Sequence, residues 1–279
     1  MTVKIVTDSL GDVPSEVAKE LGITIIPINV LFGTEVYLDG IDLTTEQFYE
    51  KLTHSEVFPT TAVPPIGNFI ETYDKVAEET DEILVITFTS KLSATYEAAL
   101  QAVKQMKKKC RVEVIDSQQA AMAEGLVVIA TAEAAKAGTS LDEVASMTRR
   151  NISRVEIRMA FDTLEYLKKG GRIGRAQALL GSILKINPIL TVKDGELYPV
   201  ARERSRAKAT DHLYEFAKSF SHIEKLAVED ATTPDEAAML AERLGSKFPK
   251  EQIYRSKVTP ALGAHVGPHV LGVAVLGEK

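Results

Sequence analysis

With 279 residues, of which 45% are hydrophobic and 26% charged, the chain has the make-up of an ordinary globular protein and the length for two domains, each with its own core. Its net charge of −6 argues against a surface built for nucleic acid or an anionic membrane, and a single cysteine, Cys110, excludes an internal disulfide and fits a reducing cytoplasm. The opening residues enter a strand without the pattern of a signal peptide, and the most apolar stretch, 126–135, is too short to span a bilayer, which leaves lipid as a ligand or a transient surface contact.

In chain order, residues 4–7 read as a strand, a helix starts at Pro14 and ends at Gly22, and residues 24–30 read as a second strand. A hairpin or extended loop over 32–40 closes at Asp39-Gly40, and Thr44 with Gln47 makes a capping box for a helix through Leu52. Pro59 to Pro65 is a proline-fixed loop, extended at Val63 because a residue before proline avoids the α region. A helix from Ile66 puts Phe69, Tyr73 and Val76 on one face, and the run 83–86 has the unbroken apolar character of a parallel strand buried on both faces. A helix over 96–107, a strand over 112–115, a strongly apolar helix over 120–137 and a helix capped by Ser140 and Glu143 complete the first half near Ser153.

The second half changes character. Residues 155–161 alternate as a strand does, and strands at 190–192 and 197–200 flank Lys193-Asp194-Gly195-Glu196, a hairpin turn. Short strands follow at 226–229, 252–258 and 271–276, with helices at 207–220 and 234–248, the latter opened by a capping box at Thr233-Pro234-Asp235-Glu236. The expected architecture is α/β in two domains: an N-terminal parallel-sheet α/β domain over 1–153 and a C-terminal α+β domain with a largely antiparallel sheet over 154–279.

The residues most suited to chemistry lie in the turn Thr89-Ser90-Lys91-Leu92-Ser93-Ala94-Thr95-Tyr96, between a buried strand and a helix, where open α/β sheets bind ligands and helix N–H groups face an anion. Ser93 alone has the plain reading of an N-cap. The hydroxyls of Thr89, Ser90, Ser93 and Thr95 exceed what one cap needs, however, and a second pair, Thr60-Thr61, sits in the stiff proline loop. Asp8-Ser9 and Asp116-Ser117 follow strand ends and read as turn caps, with a metal or hydroxyl ligand as the rarer use. The segment Gly170-Gly171-Arg172-Ile173-Gly174-Arg175 is neither a Walker A loop nor G-x-G-x-x-G; it reads as a break between helices from which Arg172 points at an acidic group. His265 and His269 have the spacing of a helical metal site, but Gly267-Pro268 between them forbids that helix, so no metal is expected and His265 is left in a glycine-punctuated loop, able to donate to an anion.

Taken together, Asp8-Ser9, Pro59-Thr60-Thr61, the 90–96 turn, Asp116-Ser117, residues 164–174, Asn187-Pro188-Ile189-Leu190 with Asp194-Gly195, and His265-Val266-Gly267-Pro268 resemble the DegV family of bacterial fatty-acid-binding proteins almost end to end. The resemblance implies a two-domain carrier holding one long-chain, palmitate-like fatty acid in a buried apolar tunnel, with no cofactor. Its carboxylate-binding hydroxyls fall on Thr61 and Ser93, with His265 nearby. It also implies that the loaded protein is presented to a separate ATP-dependent kinase that phosphorylates the acyl carboxylate, the chain itself being a non-catalytic, cytoplasmic subunit. Arg204, in the basic stretch 202–208, matches an arginine associated with that partner step, and Arg172 is the second partner-side residue. The chain departs from the family pattern at His269 where glycine is usual, at Ala94 where glycine is usual, and at Ala62-Val63 where serine and glutamine are frequent. Three other readings stand beside it: a serine hydrolase of a lipid-like substrate using Ser93 with His265 and Asp116 or Asp8, although no G-x-S-x-G elbow surrounds Ser93; a small-molecule kinase with Gly170-Gly171 at the phosphate; and a non-lipid sensor.

Overall fold

The computed structural model of the protein describes residues 2–180 and 186–279. The first half runs β1 (Lys4–Asp8), α1 (Ser15–Leu21), β2 (Thr24–Ile26), β3 (Asn29–Phe32), β4 (Glu35–Leu38), α2 (Thr45–His54), β5 (Thr60–Ala62), α3 (Ile66–Val76), β6 (Glu82–Thr87), α4 (Thr95–Gln105), β7 (Arg111–Asp116), α5 (Ala121–Lys136) and α6 (Leu141–Ile152). The second runs β8 (Val155–Ala160), α7 (Glu165–Lys169), β9 (Asn187–Lys193), β10 (Glu196–Glu203), α8 (Arg206–Lys218), β11 (His222–Asp230), α9 (Pro234–Gly245), β12 (Ile253–Lys257), α10 (Pro260–Val266) and β13 (Leu271–Glu278).

Strands β2-β1-β6-β7 form a parallel sheet in that order. The β6 run from Ile83 to Ile86 is buried throughout, because helices cover both faces of such a sheet. Strand β1 has β2 on one side and β6 on the other, so winding reverses there and a crevice opens beyond the carboxyl ends of β1 and β6. The second sheet, ordered β10-β9-β8-β13-β11-β12, is antiparallel except for the parallel β11–β12 pair. This mixed α/β architecture is the one expected from the alternation of elements in the first half and the hairpin pattern of the second.

Helix α5 joins the two sheets. It is apolar on every side, with twelve of its sixteen residues buried, and it contacts β1 on one side and β8, β11 and β13 on the other. A helix without a polar face has to be covered all round, and lying between two sheets achieves that.

The differences from expectation are local and have identifiable causes. The single strand read over 24–30 is two, β2 and β3, in different sheets, because Pro27 cannot donate to a ladder. The hairpin that β3 and β4 form turns at Gly33, which has φ +62°, rather than at Asp39-Gly40. The proline loop contains the short strand β5, which pairs with β3 as the outer strand of a three-stranded sheet. Thr233 does not form its capping box: the Thr233 N–H donates to Asp230 Oδ2 at 2.9 Å instead, while the boxes at Thr44 and Ser140 are made. His265 stands on a helix, α10, rather than in a loop, and Gly267 with φ +82° ends that helix before His269.

Candidate functional site

A cavity of about 160 Å³ opens where the carboxyl ends of β1 and β6 meet the second sheet. Its apolar wall comes from Leu10 after β1, Phe88 after β6, Met159 on β8, Leu197 on β10, and Leu262 and Val266 on α10. Thr61, Ser93, Arg172 and His265 contribute its polar side chains. Residues 204 positions apart in sequence meet here: Thr61 Oγ1 lies 2.7 Å from His265 Nε2.

His265 is neutral at physiological pH. Burial, reinforced by the nearby Arg172 charge, pushes its pKa down to about 4. Its second nitrogen, Nδ1, is buried and unpartnered among the described residues, packed so closely on Gly170 that a Cβ there would sit 2.3 Å away. A buried N–H without an acceptor is rarer in proteins than an under-used acceptor, which favours the proton on Nε2. In that tautomer Nε2–H donates to Thr61 Oγ1 and the threonine O–H is free to donate into the cavity.

The hydroxyl surplus of the 89–96 turn divides cleanly. Thr89 Oγ1 donates to the Gly195 carbonyl at 3.0 Å, which fastens the turn to the β9–β10 hairpin. Ser90 Oγ donates to Asp116 Oδ2 at 2.6 Å, and Asp116 also accepts the N–H groups of Ser90 and Gln118. Ser93 is not the N-cap of the following helix, a position held by Ala94; it precedes the cap, accepts the Thr95 N–H at 3.3 Å and shares a 2.8 Å hydrogen bond with the buried Thr95 hydroxyl. It is nonetheless the one hydroxyl of the four that lines the cavity.

Asp8 takes the Leu10 and Phe88 N–H groups at 3.0 and 2.8 Å, so both strand-end aspartates serve turns, the commoner of their two readings. Arg172 departs from expectation: its guanidinium donates to two carbonyls, Leu92 at 3.3 Å and Gly170 at 2.7 Å, and not to an acidic group. It thereby spans from the glycine break to the Ser93 turn, in the cavity wall. Arg204 is exposed just beyond β10 and outside that wall. No group of three or more metal-ligating side chains occurs among the described residues. Two hydroxyls and one guanidinium, with a neutral imidazole that orients the Thr61 hydroxyl, form in a chiefly apolar cavity a donor set suited to a single anionic head on an apolar body.

The chain as a whole is similar to known proteins. The DegV family model, described as that of an uncharacterised protein, matches residues 2–278. The chain belongs to the DegV family. A DegV domain-containing protein of Clostridium perfringens is 34% identical over 100% of both chains, and the protein DegV of Bacillus subtilis is 32% identical over 98% of each. Among solved structures, a DegV family protein from Thermus thermophilus, described for its fatty acid binding, superposes with a TM-score of 0.90 at 31% identity, covering 99% of this chain and 100% of that one. The Bacillus subtilis DegV structure, that of a fatty acid binding protein, gives 0.89 at 30% identity over 99% of each.

Within this DegV chain the contact that a hydrolase would need is not made. His265 bonds Thr61 and not Ser93, while Asp8 and Asp116 hold turns. Sequence reading missed two contributors to the site: helix α10, concealed by its glycines, and Arg172 as a wall residue. The spacing of Gly170 and Arg172 beside the short α7 was the available signal for the second.

Proposed function

We propose that the protein binds one long-chain fatty acid, with its carboxylate on Thr61 and Ser93, His265 beside it holding the Thr61 hydroxyl as a donor, and its tail against the apolar wall. The observation that carries this is the meeting of Thr61, His265, Ser93 and Arg172 in the wall of one cavity whose remaining lining is chiefly apolar. Solved DegV structures at 30% identity or more are those of fatty-acid-binding proteins, which supports the ligand class. A palmitate tail of about fourteen methylenes, at about 0.8 kcal/mol each, dominates the affinity. Each hydroxyl-to-carboxylate bond contributes about 1.5–3 kcal/mol and chiefly sets orientation. Arg172, anchored on two carbonyls, adds a fixed positive charge beside the head.

The same reading makes the chain a cytoplasmic carrier in two units divided near 153/154, which presents the acyl carboxylate to a separate ATP-dependent kinase, with exposed Arg204 on the side offered to that partner. Among the described residues no helix is long and apolar enough to cross a membrane. Native mass spectrometry of the purified protein, followed by solvent extraction, tests the ligand. An acyl chain of about 14–20 carbons that co-purifies or can be loaded supports the proposal; a protein that neither carries nor takes up one refutes it.

A further inference from the structure

Helix α10 has only seven residues, yet it carries Leu262, His265 and Val266 of the cavity wall. Although it lies near the C-terminus, its start is tied to the first half of the chain. The Ala261 N–H donates to Asp39 Oδ1 at 3.2 Å, and the Thr259 N–H, at the N-cap, donates to Asp12 Oδ1 at 3.0 Å. Thr259 Oγ1 donates to the Ser9 carbonyl at 3.3 Å, and Ser9 Oγ donates to Asp39 Oδ2 at 2.6 Å while accepting the N–H of Ile28, another wall residue. Tyr49 O–H donates to the Val258 carbonyl at 3.1 Å, and a Cβ on Gly263 would collide with the Tyr49 and Phe48 rings.

We infer that Asp39 and Asp12 are positioning residues that hold His265 against Thr61 by anchoring the start of α10. Ala261 and His265 are four positions apart, about one helical turn, so a shift at the anchored end moves the imidazole with it. Both carboxylates are buried, Asp39 4% and Asp12 2% exposed, and both oxygens of Asp39 are occupied by the Ser9 and Ala261 bonds. A wider cleft of about 620 Å³ is lined by Asp12, Asp39, Asp230 and Lys257, but Asp39 is committed to the anchor and Asp230 to Lys257 and Thr233, so the cleft is not read as a second ligand site. Asp8, Asp12 and Tyr49 are the titratable neighbours that feel the charge of Asp39, and Arg172 is the one that acts on His265.

The inference rests on the fatty-acid reading only for its consequence, and its test separates the two. Asp39→Asn keeps an oxygen for the Ala261 N–H and can donate to Ser9, whereas Asp39→Ala keeps neither. The imidazole of His265, identified by its loss in His265→Gln, is followed by long-range proton–nitrogen NMR across a pH titration, alongside palmitate titrations of the same samples. Asp39→Asn should preserve the His265 spectrum and bind palmitate within about threefold of the parent. Asp39→Ala should move the ring towards a free imidazole, raise its titration midpoint from about 4 towards the ordinary range, and weaken palmitate about tenfold. Should Asp39→Ala not fold, Ser9→Ala is expected to move the ring in the same direction by less. An unchanged His265 ring in a folded Asp39→Ala or Ser9→Ala protein overturns the inference, and the ring readout decides this whether or not palmitate binds.

Discussion

Two regions of this molecule bury polar groups, and they treat them in opposite ways. Beneath the cavity, Asp8, Asp12, Asp39, Glu124 and Glu229 lie buried together where the two halves meet, and most of their oxygens are taken up within the protein. Asp8 and Asp39 accept backbone N–H groups, and Glu229 accepts the Met122 N–H at the start of α5. Burial and the neighbouring Glu229 carboxylate push Asp12 well above the usual carboxylate range. In the cavity wall, by contrast, the Thr61 and Ser93 hydroxyls make a few short bonds to their neighbours and line a chiefly apolar space. The cluster leaves Asp12 Oδ2 and Glu124 Oε2 unpartnered, but neither residue lines the cavity; the hydroxyls of Thr61 and Ser93 do, and that placement is what suits them to a ligand.

That contrast can be broken at the cavity first. Gly170→Ala places a Cβ 2.3 Å from His265 Nδ1, so the imidazole must leave Thr61; palmitate binding is expected to weaken about a hundredfold, read by isothermal titration, with the fold retained by circular dichroism. Thr61→Ala and Ser93→Ala remove one donor each and should weaken binding by about ten- to thirtyfold, Thr61→Ala the more because it also leaves His265 Nε2 without its partner. Equal, near-parental affinities in both variants would place the ligand head elsewhere.

The carboxylate cluster should answer to pH and stability rather than to ligand. Burial raises Asp8 and Glu229 to about 7 and Asp39 to about 6, so the folded state holds protons that the unfolded chain releases at lower pH. Stability therefore falls as pH rises from the ordinary carboxylate values through these raised ones. His265 acts in the opposite sense but only below its ordinary value of 6.5, since its folded pKa is the lower one. The melting temperature at pH 8 is thus expected to lie about 5 °C below that at pH 6, and Asp8→Asn should flatten the slope. A melting temperature that climbs over that interval would show that these carboxylates are ionised throughout.

Elements whose physics is local were legible. An unbroken apolar run specifies β6, and capping boxes specify α2 and α6. The 89–96 turn and the Thr60-Thr61 pair stand out because hydroxyls in excess of capping needs are visible in sequence, while the choice of Ser93 and Thr61 among them is what the resemblance to the DegV family implies. The Thr61–His265 bond was not, because it joins a strand concealed in a proline loop to a helix concealed by glycines. Nothing local in the sequence shows why Gly170 and Gly263 are glycines; at each a side chain, His265 or Tyr49, occupies the volume its own Cβ would need. The role of Asp39 was equally hidden, since its partner is a backbone N–H 222 residues away.

The claim that this wall recognises a carboxylate, and not merely an apolar chain, is tested most directly by comparing palmitate with its methyl ester on the same protein by isothermal titration. The tail and the cavity are unchanged between the two ligands, and only the anionic head is lost. Palmitate is expected to bind at least about tenfold more tightly, with the difference much reduced in Ser93→Ala. Equal affinities for acid and ester in the parent protein would contradict the account.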